Sequence, residues 1–579
     1  MGIKFIAGAG RRCAVVATAA LLAAGLAVPA AAATPGKGPA AASQVSLRVI
    51  SFNDLHGNLQ PPAGSSGRVT TGVGTTVDAG GAAYLATHVK QLEAQAKNSL
   101  LVSAGDNIGA SPLASALFHD EPTIDVMNAM GVQASAVGNH EFDEGYRELL
   151  RMQFGGCHPT DGCVFEPTYR GARFPILGAN VTFTNGVPAL LPFTIKKVQG
   201  IGVGMIGVTL EDLPSVVTPT AVAGLKFGSE VTAIDRTATL LDRLGVKTQI
   251  VLMHQGDETE AGSTPNSCNL TSGVALQIAR TASAKVDAFF TGHSHQQYNC
   301  VVTDPSGQPR PLIQGLSFGR LLSVVDFKID RRTRDVVRSA TKATNEIVTR
   351  DVTPDPTVQA IVTKAVTKSA PIGNRPVGSI TADLVVAAAA SGESPLGDVI
   401  ADAQLAATLG NNAQIAITNP GGIRTNLTYA SSPAGEGNGV VTYAEAFAVQ
   451  PFANIMQTIT LTGAQLDAVL EQQWQPQPDG STLTRILQIS SSLHYTQRPT
   501  AAIGSRISDI TVAGVPVSPT ASYRVSVNNF LAAGGDGFTV FAQGTDLAGG
   551  PIDLDAFTAY LTANPNLSPP PADRITVAP

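Results

Sequence analysis

A chain of 579 residues has enough material for several domains and large buried cores. Its 38 Lys and Arg against 44 Asp and Glu give a net charge of −6, which excludes a protein held on nucleic acid by a broad basic surface. Hydrophobic residues reach 44% and charged ones 14%, so the chain is no disordered polyelectrolyte, and its 58 glycines and 37 prolines follow no collagen-like period.

Residues 1–33 predict an export signal. Lys4, Arg11 and Arg12 precede an apolar run from Ala14 to Val28, and the small residues Ala30-Ala31-Ala32-Ala33-Thr34 follow it. Cleavage is expected after Ala33. The run is too short for a membrane span, and no later stretch reaches about 20 uninterrupted apolar residues, so no span is expected. The flanks of Arg11-Arg12 fit a twin-arginine signal poorly, and Cys13 precedes the apolar core, where it offers no lipid anchor. The mature chain is expected to be secreted or at the cell surface, with a flexible small-residue tail over 34–44.

From Val45 onward, apolar strands alternate with amphipathic helices, the pattern of an α/β domain. Strands are predicted over 45–52, 99–105, 134–138, 248–253, 286–292 and 321–330. Tyr84, Leu85, Val89 and Leu92 mark one helix, and a second is expected between Ser111 and Ala129. The Gly/Thr/Ser-rich stretch 63–81 is equally a loop or a flap. Gly202, Gly204 and Gly207 fit a dinucleotide fingerprint by spacing only. They lie inside an apolar run with no following helix and acid, so they read as strand or bulge positions.

Composition shifts near residue 345. A helix is predicted from Asp355 to Lys368, before a Pro/Gly break, as a connector over 346–370 between domains at 45–345 and 371–579. Beyond it come helices at Leu396–Leu409 and Gly463–Trp474, and strands at Ala413–Thr418 and around 484–489, 507–512 and 522–528. The second half is therefore also mixed α and β.

Export leaves four cysteines in an oxidising compartment. Cys157 and Cys163 bracket GCHPTDGC closely enough to bridge, and Cys268 and Cys300 would then pair. A zinc site including His158 is the alternative, but the cysteine spacing does not suit it.

Five predicted strands of the first half end on metal-ligand types. Asp54 and His56 follow the first, Asp106 the second, and Asn139 and His140 the third; His254 follows the fourth, and His293 and His295 the fifth. Any one of these alone reads as a turn or capping residue. In open α/β sheets, however, sites gather beyond the carboxyl ends of strands, where all five segments could converge. Carboxylates, a carboxamide and imidazoles without thiolate suit two divalent ions, with Zn, Mn, Co or Fe as candidates. Two ions about 3.5–4 Å apart can hold a hydroxide nucleophile and neutralise a phosphoryl oxygen.

The motifs D-x-H, G-D-N, G-N-H-E, the isolated His254 and G-H-S-H occur in the order of calcineurin-like metallophosphoesterases. GNHEFD and the second half resemble the secreted bacterial 5′-nucleotidase and UDP-sugar hydrolase family over about residues 45–545. The resemblance implies a metallophosphoesterase β-sandwich flanked by helices, joined by a helical linker to an α+β nucleotidase C-terminal domain. It implies Asp54, His56, Asp106 and His295 at one metal, and Asp106, Asn139, His254 and His293 at the other. His295 replaces a Gln or Asn common in relatives, so a changed metal preference is expected. His140 would stabilise the phosphoryl transition state, helped by Asn139 and oriented by Asp143; an acid at a helix N-terminus is the plainer reading of Asp143.

In the second half, Asn419, Gly421, Gly422 and Arg424 (NPGGIR) follow a strand, and Phe530 and Asp536 flank a Gly-rich turn. The glycines allow close backbone approach, and the arginine can grip phosphate in bidentate fashion. Read alone, Phe452 and Phe530 are core residues. The resemblance instead implies base stacking by both, with Asn419 on the base, Arg424 on phosphate and Asp536 on ribose. It also implies rotation of the domains about the connector. Two departures stand out: Gly392 where nucleotide-hydrolysing relatives carry Arg, and Asp398 where Asn is common. A phosphate contact is expected to be missing. The function implied is hydrolysis of 5′-nucleotides, small molecules rather than nucleic-acid polymers. UDP-sugars or 2′,3′-cyclic nucleotides are the nearest alternatives, and a non-catalytic exported binding protein the alternative of another class.

Overall fold

The computed structural model describes residues 43–579 except 63, 73, 261–262, 271–272 and 477–480. The predicted export signal and the tail up to residue 42 lie outside the described residues. Among the described residues, no helix is long and apolar enough to cross a membrane.

Period-two alternation builds the first half. In the strand Gln44–Phe52, Val45, Leu47 and Val49 face one way and Ile50 and Phe52 the other. Thr248–His254 divides likewise, Ile250 and Leu252 against Val251 and Met253. The first set from each strand meets in a core between two six-stranded sheets. One sheet runs Lys342–Ile347, Leu321–Asp330, Gln44–Phe52, Ser99–Ser103, Ala134–Ala136, Ile176–Leu177; the other runs Gln297–Thr303, Pro309–Gly315, Ala288–Thr291, Thr248–His254, Ile201–Thr209, Phe193–Val198.

The outer faces are covered by helices. Ala82–Ala94, Glu121–Met130, Tyr146–Phe154 and Pro356–Gly373 lie on the first sheet, and Glu230–Arg243 and Val274–Thr281 on the second. Gly202, Gly204 and Gly207 sit inside the strand Ile201–Thr209, with no helix following directly. Both disulfides, Cys157–Cys163 and Cys268–Cys300, are formed, as an oxidising compartment allows.

Several boundaries differ from expectation. The helix predicted between Ser111 and Ala129 is two, Leu113–Ala116 and Glu121–Met130, because His119 and Asp120 adopt left-handed φ of 50° and 59°. The stretch 63–81 contains a hairpin, Arg68–Gly72 with Thr75–Asp78. Arg350 ties down its base by donating to Pro62 O at 2.8 Å and Ala79 O at 2.6 Å. The connector helix runs Pro356–Gly373, capped by Asp355 and continuing through Pro371. Packing overrides the proline, since Val358, Val362 and Ala365 sit in the first core and Gly373 lies against Leu113 and Ala444.

The second half holds a five-stranded sheet: Gln488–Ile489, Ile415–Thr418, Ser522–Asn528, Ile455–Thr462, Thr545–Ile552. Pro395–Thr408, Tyr443–Val449 and Asp553–Ala563 share one core; Gly463–Glu471 packs in another with the sheet. The helix predicted to reach Trp474 stops at Glu471, and Trp474–Pro476 pairs with Thr482–Thr484 instead.

Candidate metal centre and substrate pocket

The ends of five strands meet at one place. Gln44–Phe52, Ser99–Ser103 and Ala134–Ala136 run parallel in one sheet, Thr248–His254 and Ala288–Thr291 in the other. The two sheets therefore deliver Asp54, His56, Asp106, Asn139, His254, His293 and His295 from their carboxyl ends. Five of these, Asp54, His56, Asp106, His293 and His295, hold positive φ between 45° and 73°. That backbone is unfavourable for side-chain-bearing residues and concentrates at functional sites.

Asp106 lies between two groups. Its Oδ2 is 3.1 Å from His254 Nε2 and 3.7 Å from His56 Nε2. On one side, His56 Nε2 faces His295 Nε2 at 3.1 Å, and His295 Nε2 lies 3.5 Å from Asp54 Oδ1. On the other, Asn139 Oδ1 stands 3.1 Å from both His254 Nε2 and His293 Nδ1. The backbone sets the tautomers: His56 Nδ1 donates to Gly109 O and His254 Nδ1 to Ala104 O, each at 2.9 Å. This leaves each Nε2 turned inward as the donor atom a metal needs. A Cβ on Gly138 would collide with Asp106 Oδ1, so the close approach requires glycine.

Electrostatics agree with a cation site. Burial holds His56, His293 and His295 below their ordinary pKa, hence neutral. Burial also disfavours charge on His254, but Asp106 outweighs it and raises the imidazole. A positive charge is thus favoured between Asp106 and Asn139. The donor set, with carboxylates, carboxamide and inward imidazole nitrogens, fits two divalent ions.

His140 lies beside this cluster. Its Nδ1 donates to Asp143 Oδ2 at 2.9 Å, and its backbone N–H to Asp106 Oδ1 at 2.9 Å. Burial works against the imidazolium, but Asp143 and Asp106 raise its pKa on balance. The ring packs edge-on to His56 at 4.9 Å and stacks on Phe452 of the second half at 5.6 Å. The Arg424 guanidinium covers Phe452 at 5.6 Å and its Nη1 donates to Gly421 O at 3.2 Å.

Asn419 and Asp536 are joined, Nδ2 donating to Oδ2 at 2.7 Å, while Asn528 Nδ2 donates to Asn419 Oδ1 at 3.2 Å. Gly422 packs close to the Asn419 amide. Phe530 lies over Gly535, where a Cβ would strike its ring. Among the described residues it makes no ring contact with Phe452. Gly392 has φ of 86°, and a Cβ there would meet Ile486 at 2.5 Å, so no arginine fits this backbone. Asp398 is buried, 3.8 Å from Arg574.

Sequence reading missed three supports. The Glu141 carboxylate accepts N–H bonds from Asp106 at 3.0 Å, Asn107 at 2.8 Å and Gly138 at 2.5 Å. Asn53 Nδ2 donates to Asp54 Oδ2 at 2.6 Å. Phe318 packs edge-on to His56 and His295 at 6.0 and 5.6 Å. For Glu141, the adjacent Asn139-His140 pair was the available signal; for Phe318 there was none.

Residues 47–297 match the family model of calcineurin-like phosphoesterases, and residues 371–543 that of the 5′-nucleotidase C-terminal domain. The chain is 32% identical to "Endonuclease YhcR" of Bacillus subtilis (strain 168), over 89% of this chain and 40% of that relative. It therefore spans about two-fifths of that relative's length. It is 31% identical to "Cell wall protein Lmo0130" of Listeria monocytogenes, over 90% of this chain and 68% of the relative. The solved structure of a 5′-nucleotidase precursor from Thermus thermophilus matches with a TM-score of 0.74 at 26% identity, covering 92% of this chain and 99% of that one.

Proposed function

The chain belongs to the 5′-nucleotidase family of calcineurin-like phosphoesterases, and from that premise we propose that it hydrolyses 5′-nucleotides to nucleoside and phosphate outside the cytoplasm. Membership makes it a phosphoric ester hydrolase; the nucleotide substrate and the exported location are the proposal. The observation that carries it is His140, placed between His56 of the metal cluster and Phe452 beneath Arg424. A group that can stabilise phosphoryl charge thus adjoins both the ion ligands and an aromatic, cationic pocket wall.

Asp54, His56, Asp106 and His295 would hold one divalent ion, and Asp106, Asn139, His254 and His293 the other. Bound there, the pair supplies Lewis acidity toward a phosphoryl oxygen and lowers the pKa of a water. His140, oriented by Asp143, stabilises charge that develops on phosphorus oxygens, together with the Asn139 carboxamide. Arg424 grips phosphate, Asp536 accepts from ribose hydroxyls, Asn419 reads the base edge, and Phe452 and Phe530 offer their faces to the ring. The domains are taken as 45–345 and 371–579, with the helical connector between.

The test is phosphate release from 5′-AMP by the purified mature chain, Mn²⁺-loaded, with and without EDTA. Rapid release abolished by EDTA is expected. No release from metal-loaded protein would overturn the reading.

A second reading, phosphodiester or pyrophosphate-linked substrates, has one observation in its favour. A cavity of about 370 Å³, lined by Asn58, Pro62, Phe318, Arg424 and Glu445 among others, adjoins the metal cluster and could seat a second substituent on phosphorus. A relative named as an endonuclease is compatible with it. Conversion of UDP-glucose to UMP and glucose 1-phosphate, and of 2′,3′-cyclic AMP to 3′-AMP, followed by product chromatography, separates the two.

A further inference from the structure

Arg485 of the second half stands outside the residues assigned to the site. Arg485 lies between the strands Thr482–Thr484 and Gln488–Ile489 and is half-buried. Its backbone is fixed: Arg485 N donates to Gln473 O at 2.8 Å, and Leu487 N donates to Gln473 Oε1 at 2.8 Å. Its Nη1 donates to Gln475 Oε1 at 3.0 Å, and Gln475 Nε2 donates to the Asp536 carbonyl at 2.6 Å. The guanidinium is therefore tethered, by one amide, to the loop whose Asp536 carboxylate bonds Asn419.

The remaining edge is uncommitted. Among the described residues, Nε and Nη2 of Arg485 make no hydrogen bond, and no carboxylate forms an ion pair with it. Neither atom is among the buried unpaired polar atoms, so this edge of the planar fork faces solvent and is open to an incoming anion. Its charge acts on both halves of the molecule. Burial raises the Asp536 carboxyl and Arg485 is the strongest charge opposing that rise, and it also opposes the rise of Glu258. Arg485 therefore lies within electrostatic reach of Asp536 and of Glu258 in the first half.

Its placement depends on a glycine. Ile486, the next residue, packs directly on Gly392, and any side chain at 392 would displace this segment. The position whose glycine removes one cation is thus the position that lets another approach.

We propose that Arg485 is an anion-recognising residue of the substrate pocket that binds the 5′-phosphate of a nucleoside monophosphate alongside Arg424. This rests on the nucleotidase reading of the site. A phosphate esterified to a ribose held at Asp536 comes within reach of a guanidinium tethered to the Asp536 loop. The idle Nε and Nη2 edge is the bidentate face that phosphate oxygens take.

The experiment is titration calorimetry of 5′-AMP and of adenosine, in EDTA so that nothing turns over and no ion contributes to phosphate binding. Wild type is expected to bind 5′-AMP more tightly than adenosine. Arg485→Ala should weaken 5′-AMP by about tenfold or more, as expected for loss of a charge-assisted bond, and shift adenosine by less than about twofold. Arg485→Lys should retain part of the 5′-AMP preference. Gln475→Ala, which cuts the tether to the Asp536 loop, should weaken both ligands together. The proposal is overturned if Arg485→Ala weakens adenosine as much as 5′-AMP, if it changes neither, or if wild type shows no preference. A metal-loaded wild type that binds 5′-AMP but releases no phosphate sinks the nucleotidase reading and leaves the binding comparison standing.

Discussion

His140 is held by three partners with different jobs. Asp143 fixes its Nδ1, Asp106 accepts its backbone N–H, and Phe452 covers its face. None of these requires His140 to touch an ion. His140→Ala should therefore lower kcat by about 10²–10⁴, the range of a positioned proton-transfer or charge-stabilising group. Metal content by elemental analysis should stay at the wild-type level; its loss would show that the imidazole is a ligand. Glu141 is the converse case. Its carboxylate satisfies three buried N–H groups on the loops that carry Asp106 and Asn139. Glu141→Ala leaves those donors unpaired, at about 1–3 kcal/mol each, so the midpoint of thermal unfolding should fall clearly and metal affinity with it. An unchanged midpoint would mean that water replaces the carboxylate without cost.

At the scale of elements, the loop closed by Cys157–Cys163 is held to the body by charge as well as by sulfur. His119 Nδ1 bonds Glu144 Oε2 and its Nε2 bonds Asp161 Oδ2, both at 2.9 Å, while His158 stacks on its ring at 3.8 Å. The Glu144 hydrogen bond, against burial, lifts His119 to about 9 from its ordinary 6.5. A folded pKa above the unfolded one contributes stability that is fully present below about 6.5 and lost as pH rises through about 9. Hydrogen exchange in residues 157–163 should therefore be slower, after correction for intrinsic rates, at pH 6 than at pH 9.5. His119→Ala should abolish the difference; a difference that survives would place the titration elsewhere. The same segment shows where sequence reading ends. Leu321–Asp330, Ile507–Val512 and Ser522–Asn528 are rich in β-branched and aromatic residues and were legible to the residue. The break at His119 and Asp120 was not, because a left-handed pair is stabilised by tertiary bonds such as Gly109 N to Asp120 Oδ2 at 2.9 Å. The convergence of the site's Asp, Asn and His side chains was legible because scarce residue types recur at successive strand ends. Glu141 and Arg485 act through backbone or idle donors, and leave no such pattern.

For the molecule as a whole, the pocket exists only where the two halves meet. Phe452 comes from the second half and His140 from the first, and their rings stack at 5.6 Å with an interplanar angle of 21°. The phenylalanine could serve in two ways: as a face for a base, or as a wall that keeps His140 in place. Substrate choice separates them. A base stacked on an aromatic ring is worth about 1–3 kcal/mol by alanine substitution, so Phe452→Ala should cut kcat/KM for 5′-AMP by about 5- to 150-fold. A substrate without a nucleobase has no such contact to lose. With p-nitrophenyl phosphate, the same variant should keep kcat/KM within about threefold if His140 remains held by Asp143 and Asp106, whose bonds do not involve the second half. Equal losses on both substrates would reassign Phe452 to the support of His140. The second half would then assemble the catalytic group of the first as well as select what reaches it.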